Sequence, residues 1–271
     1  MLRAVLQYSF LQNALFCALL ISACCGIVGT VIVLKKQVML SGGIAHISFG
    51  GIGLGYLLGI EPLIGAFLFA VAAALGISIL GERSQQESDV ATGIFWAAGM
   101  ALGVLFIALT PGYPPDMASY LFGDILTVTK TDLLLALIID FIVLFLVTAY
   151  YNYLSVYLFD AEFAAVLKVN TKLLAGLLNV VAALTIVILV RAVGIILVMA
   201  LLTAPAAVAS LIGSSLKTVM LAAGVITLLS CLGGLWLSYS LQIPSGAAIA
   251  LFAAAIYAGA HIIKRLRSQY G

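Results

Sequence analysis

Charged side chains are spaced so widely along this chain that they divide it into long apolar runs. Arg3 to Lys35 encloses 31 uncharged residues, Lys36 to Glu61 encloses 24, Glu61 to Glu82 encloses 20 and Asp89 to Asp116 encloses 26. Asp132 to Asp160 is interrupted only by Asp140. Lys172 to Arg191 encloses 18, Arg191 to Lys217 encloses 25, and Lys217 to Lys264 encloses 46, with a turn at Gln242-Ile-Pro-Ser-Gly246. About 20 apolar residues carry a helix across a bilayer. The pattern therefore predicts spans near 10–34, 38–60, 62–81, 89–109, 130–150, 171–190, 193–212, 217–239 and 243–263. Only Glu61-Pro62 separates the second from the third, so eight spans with one short or re-entrant segment is the alternative. The expected fold is all-α: a polytopic membrane bundle of 8–9 helices, one transmembrane unit over residues 1–271.

Composition agrees and narrows the class. Residues in AVILMFWYC make up 65% of the 271 and charged residues 8%, against roughly 45–50% and about 25% in soluble domains. A soluble enzyme and a disordered chain are excluded. A net charge of +2 leaves no electrostatic footprint for nucleic acid. With the C-terminus inside, the inner loops hold nine basic residues and the outer segments three, Arg3, Lys130 and Arg191, which fits the positive-inside rule. The first apolar run is too long for a cleaved signal and is expected to be retained. Cys17, Cys24, Cys25 and Cys231 lie in apolar runs without metal-ligand spacing and are expected as buried small residues.

Three features carry candidate chemistry. Between the fifth and sixth runs, Asp160 can cap a helix and Glu162 falls in its first turn. Phe163, Val166 and Leu167 fall at i, i+3 and i+4, an apolar face on a short cytoplasmic helix. This helix either lies on lipid or docks into a soluble partner. Next, Leu40 to Gly59 is glycine-rich: Gly43, Gly51, Gly55 and Gly59 share a helical stripe that permits close helix approach in lipid. His46 neighbours that stripe; an imidazole within a span is a functional candidate by default and a preferred ligand for zinc and its neighbours, the alternative being a packing histidine bonded to a nearby carbonyl. Third, Asp140 lies mid-span, where a carboxylate pairs, binds a cation or hydrogen-bonds a neighbouring helix while neutral. Arg191 is expected to snorkel, Asn179, Met199 and His261 to pack, and the Pro-rich outer loop Thr110 to Met117 to dock an outside partner or simply connect. No GxxxxGK[ST] occurs, so this chain supplies no ATP site.

Several segments match a known family in order. The stretch around His46 resembles its Gly-Asp-Ala-x-Ser-His motif. Ser88 to Phe95 with Ala101-Leu-Gly103 resembles its next helix, and Tyr120 to Val128 its Leu-Phe-Gly-Asn-Ile-Leu segment. Phe159 to Val169 resembles its ATPase-coupling loop. Val193 to Val198, Leu202 to Ala206 and Ile243 to Ala247 resemble its last third. The family is that of the membrane permeases of ATP-binding-cassette importers for zinc, manganese and iron. Aligned on His46, the family's aspartate falls at Gly42, so the imidazole remains without its helix-face carboxylate. Asp140, Glu61 or a backbone carbonyl is then the candidate to complete the path.

The resemblance implies a multi-pass permease of the cell membrane, not itself an enzyme and without a resident cofactor. Its metal ion would be cargo. It implies a homodimer or pseudo-dimer working with cytoplasmic ATP-binding subunits and an extracytoplasmic metal-binding protein, with Asp160, Glu162, Phe163, Val166 and Leu167 at the ATPase contact. The rivals are a permease of the same architecture for a non-metal substrate and a cation-coupled secondary transporter. The second would show inverted repeats, and no similar halves are visible. A membrane-embedded enzyme would need a catalytic cluster, and no HExxH or GxSxG motif occurs.

Overall fold

The computed structural model describes residues 8–81, 84–112 and 123–270. Arg3, Arg83, most of the Pro-rich outer loop and the first residues of the Tyr120 to Val128 segment lie outside the described residues. Helices account for nearly all of the rest: α1 (Ser9–Leu34), α2 (Val38–Leu58), α3 (Pro62–Leu80), α4 (Gln85–Ala108), α5 (Lys130–Ala149), α6 (Tyr151–Phe159), α7 (Ala161–Val166), α8 (Thr171–Val193), α9 (Ile195–Ile212), α10 (Leu216–Leu241) and α11 (Ser245–Tyr270). Among the described residues nine helices are long and apolar enough to cross a membrane. Both helices flanking Glu61-Pro62 are full length, so the eight-span alternative gives way to nine.

The helix ends follow local chemistry. Pro62 opens α3 at a position where its missing N–H costs nothing. Ser84, Thr129, Asn170 and Ser215 cap the helices that follow them. Thr129 and Asp132 form a reciprocal capping box. Gly59 ends α2 at φ 66°, the left-handed conformation that glycine adopts without penalty. Within α1, Cys25–Gly29 forms a π-helical turn, where Gly26 and Gly29 let α10 and α9 approach the backbone.

Helix α2 lies at the centre of the bundle, largely buried, and glycines set its spacing from both neighbours. Gly51 and Gly65 of α3 meet backbone to backbone, with no room for a Cβ on either. A Cβ on Gly55 would stand 2.6 Å from Pro62 Cα. Toward α4, a Cβ on Gly50 or Gly53 would stand 2.7 Å from the carbonyl oxygen of Gly99 or Gly103, and one on Gly43 would collide with Thr92. Gly43, Gly51 and Gly55 thus each face a neighbouring helix or its first residue at close range. Gly59 does not: nothing lies within 4 Å of its Cβ position, and it serves as the cap.

The two ends of the bundle are joined differently. At the outer end Arg191 of α8 donates to Asp132 of α5 at 2.6 Å and to Glu61, before α3, at 2.8 Å. Beside them Ser245 at the start of α11 donates to Asp124 at 2.6 Å. Arg191 therefore pairs rather than snorkels. At the other end Lys35, Ser84, Tyr157 and Thr171 surround a cavity of about 630 Å³. This grouping of helix ends is the alternation that nine consecutive crossings require.

Candidate functional site

Residue His46 sits two turns into α2 and is half-buried. Its Nδ1 lies 2.9 Å from the carbonyl oxygen of Gly42, one turn back. A carbonyl only accepts, so Nδ1 carries the hydrogen and donates. In the neutral ring this leaves the lone pair on Nε2, the arrangement in which imidazole binds metals. The opposite constraint comes from α4: the indole of Trp96 stacks on the imidazole, with ring centroids 4.2 Å apart at 25°. The ring is thus held from two helices with one nitrogen available.

The place of the missing carboxylate is filled. A Cβ on Gly42 would stand 2.6 Å from Cε and 3.2 Å from Sδ of Met199 in α9, and 3.5 Å from Trp96. His46, Trp96 and Met199, from α2, α4 and α9, converge on Gly42, and all three side chains are partly accessible. Sequence reasoning missed Trp96 and assigned Met199 to packing. The one available signal was an indole on the glycine-bearing face of α4, opposite Gly50 and Gly53.

The other candidate path residues are not brought to His46. Glu61 is ion-paired with Arg191 at the outer end. Asp140 lies beside the Cys24 thiol in a small pocket lined by Leu20, Ala136, Thr185 and Leu189, between α1, α5 and α8. Its Oδ2 and the Thr185 hydroxyl are buried without a hydrogen-bond partner among the described residues. The four cysteines are buried and unpaired by disulfides. Among the described residues no three His, Cys, Asp or Glu side chains cluster to hold a metal ion. These residues form no closed cage of the structural-zinc kind.

The short helix α7 is built as its sequence suggests. Asp160 accepts from the Phe163 N–H at 2.9 Å, Glu162 lies in the first turn, and Lys168 ends the segment at φ 61°. Ala164 is buried against the bundle, whereas Phe163, Val166 and Leu167 are 52%, 75% and 53% exposed. The apolar face thus points away from the chain. Ala161 borders the 630 Å³ cavity, whose wall includes the Asn179–Ser78 hydrogen bond of 2.8 Å. At its rim the Lys35 ammonium sits 3.7 Å from the centre of the Tyr157 ring.

Comparison with known proteins places this architecture. A model of the ABC 3 transport family matches residues 7–264. An uncharacterized membrane protein of Synechocystis is 41% identical over 252 residues, 93% of this chain and 90% of that protein. A manganese transport system membrane protein of Listeria monocytogenes is 35% identical over 256 residues, 94% of this chain and 91% of that protein. Among solved structures, PsaBC from Streptococcus pneumoniae in complex with Fab superposes with a TM-score of 0.85 at 30% identity, covering 96% of this chain and 93% of that one. With nine helices among the described residues long and apolar enough to cross a membrane, and a family model that matches residues 7–264, the chain is a multi-pass membrane protein and belongs to the ABC 3 transport family.

Proposed function

We propose that the chain is the permease subunit of an ATP-driven importer of a transition-metal ion, a single permease unit over its length, with His46 on the translocation path. The observation that carries this reading is the held imidazole: Nδ1 committed to Gly42, the ring stacked on Trp96, and Nε2 left with a lone pair inside the membrane. The relatives named for manganese transport support metal as the cargo. The absence of a three-ligand cage among the described residues suits a path that binds weakly and releases.

The partners follow from what the chain lacks and exposes. It carries no phosphate loop, so ATP hydrolysis belongs to a separate cytoplasmic subunit. The outward apolar face of α7 fits a cleft on that subunit, with Asp160 and Glu162 stabilising the helix start. A metal-binding protein would deliver cargo at the outer end. A second copy covering the partly accessible side of His46, Trp96 and Met199 would place the path between copies. Glu61 acts here as a helix-joining group through Arg191. The test is uptake of zinc, manganese and iron into proteoliposomes holding the complex with its ATPase. ATP-dependent uptake that is lost in His46→Ala supports the reading, and ATP-dependent transport of no metal refutes it.

A further inference from the structure

The cavity at the inner end is built from two unlike parts. Its mouth holds Lys35 at the end of α1, Ser84 ahead of α4, and Thr171 and Lys172 at the start of α8. From that mouth it runs between α3 and α8 as far as Leu75 and Asn179. Lys172 and Asn179 are seven residues apart, about 10 Å of helix at a rise of 1.5 Å per residue. The cavity therefore reaches from the cytoplasmic interface into the hydrocarbon layer. Its deeper wall is mostly apolar: Leu75, Ile77, Ile79 and Ala175 line it, and the polar pair Asn179 and Ser78 bond each other. Gly176 keeps the slot open, with no atom within 4 Å of its Cβ position. Along the α3 edge Leu75 and Ile79 are 44% and 72% exposed, so on that side the slot faces the bilayer.

The charges at the mouth carry one sign. Among the described lining residues Lys35 and Lys172 are charged and none is acidic. Lys35 is partly buried, and the Tyr157 ring fixes its ammonium through a cation–π contact, an attraction to the ring face that commits no N–H donor to an oxygen. We infer that this cavity binds one anionic phospholipid of the cytoplasmic leaflet, its phosphate at Lys35 and Lys172 and an acyl chain along Gly176 in the slot between α3 and α8. A basic pocket between membrane helices on the cytoplasmic side is the arrangement that takes such headgroups. The apolar slot distinguishes a lipid from a soluble phosphate, which would use the mouth alone. Ala161 at the start of α7 borders the same cavity, so the lipid lies beside the proposed docking helix. His46 is not among the lining residues, and the inference does not depend on the metal reading.

The experiment is native mass spectrometry of the full-length permease in detergent, titrated with phosphatidylglycerol or phosphatidylcholine, with inorganic phosphate as competitor. The wild type should retain one phosphatidylglycerol per chain, hold phosphatidylcholine about tenfold or more weakly, and keep its lipid when inorganic phosphate is added. Lys35→Gln and Lys172→Gln should each weaken phosphatidylglycerol binding about fivefold, the effect of one lysine near an anionic headgroup. Gly176→Leu puts its side chain into open space and should abolish retention without lowering the melting temperature. Equal retention of the two lipids, or unchanged affinity in both lysine variants, would overturn recognition of the headgroup charge. Displacement by inorganic phosphate, or full retention in a stable Gly176→Leu, would overturn the lipid as occupant. The lysine variants decide the matter if Gly176→Leu folds poorly. Metal uptake is not the readout, so failure here leaves the permease reading standing.

Discussion

The outer and inner ends of this bundle solve opposite problems. At the outer end, polar groups are spent on one another: Arg191 joins Asp132 and Glu61, Ser245 joins Asp124, and Gly55 brings the α2–α3 turn down onto Pro62. Three helices and two connections are fastened there by side chains distant in sequence. At the inner end the chain leaves a 630 Å³ cavity open and turns Phe163, Val166 and Leu167 away from itself. One end is closed by internal contacts and the other keeps contacts unmade. The docking face proposed for α7, with a far end that holds its helices together, would give a machine driven from the cytoplasm this asymmetry.

Substitutions at the two ends should therefore fail in different ways. The largest effect is expected at the inner end. Phe163→Asp should reduce ATPase binding in a pull-down and uptake to background, while the thermal stability of the purified permease stays within about 0.5 kcal/mol of wild type, as for an exposed substitution. Coupled loss of binding and stability would instead mean that α7 is part of the bundle's own packing. At the outer end the order reverses. Gly55→Leu must displace Pro62 and should cost about 1–3 kcal/mol from overpacking, read as a lower melting temperature in detergent, with ATPase binding retained. Arg191→Met removes two charge-assisted hydrogen bonds and should cost about 1.5–3 kcal/mol. The smallest effect belongs to Glu61→Gln. That half of the pair is exposed, and such pairs are worth about 0–1 kcal/mol and weaken with salt. A loss as large as that of Arg191→Met would show that Glu61 does more than brace the turn.

Much of this was legible in the sequence, for physical reasons that also explain what was not. Charges are too costly in lipid to fall at random, so their spacing located the spans to within a few residues, except that α11 runs to Tyr270, past the expected end near 263. The spans near 89–109 and 171–190 were read short, because α4 begins at its Ser84 cap and α8 runs past Arg191 to Gly194. The Thr129-x-x-Asp132 capping box could have been read from its local pattern. What stayed hidden depends on contacts between distant segments. A periodic glycine marks a close approach but not its partner, so Gly51 against Gly65 and Gly50 against Gly99 emerged only in three dimensions, and Gly59 was grouped with them although it caps the helix. Arg191 near a span end looks like a snorkelling residue until Asp132 and Glu61 arrive from other helices. For the same reason His46 could be singled out by its chemistry alone, whereas Trp96 and Met199 acquire meaning only by meeting at Gly42.

The account turns on whether His46 handles the cargo. The most direct measurement is ATP-driven uptake of zinc, manganese and iron by proteoliposomes containing the complete complex, comparing wild type with His46→Ala and His46→Gln. The account predicts that His46→Ala loses uptake while still binding its ATPase, and that His46→Gln, which keeps size and polarity, restores stability but not metal transport. Wild-type rates for all three metals in His46→Ala would contradict it.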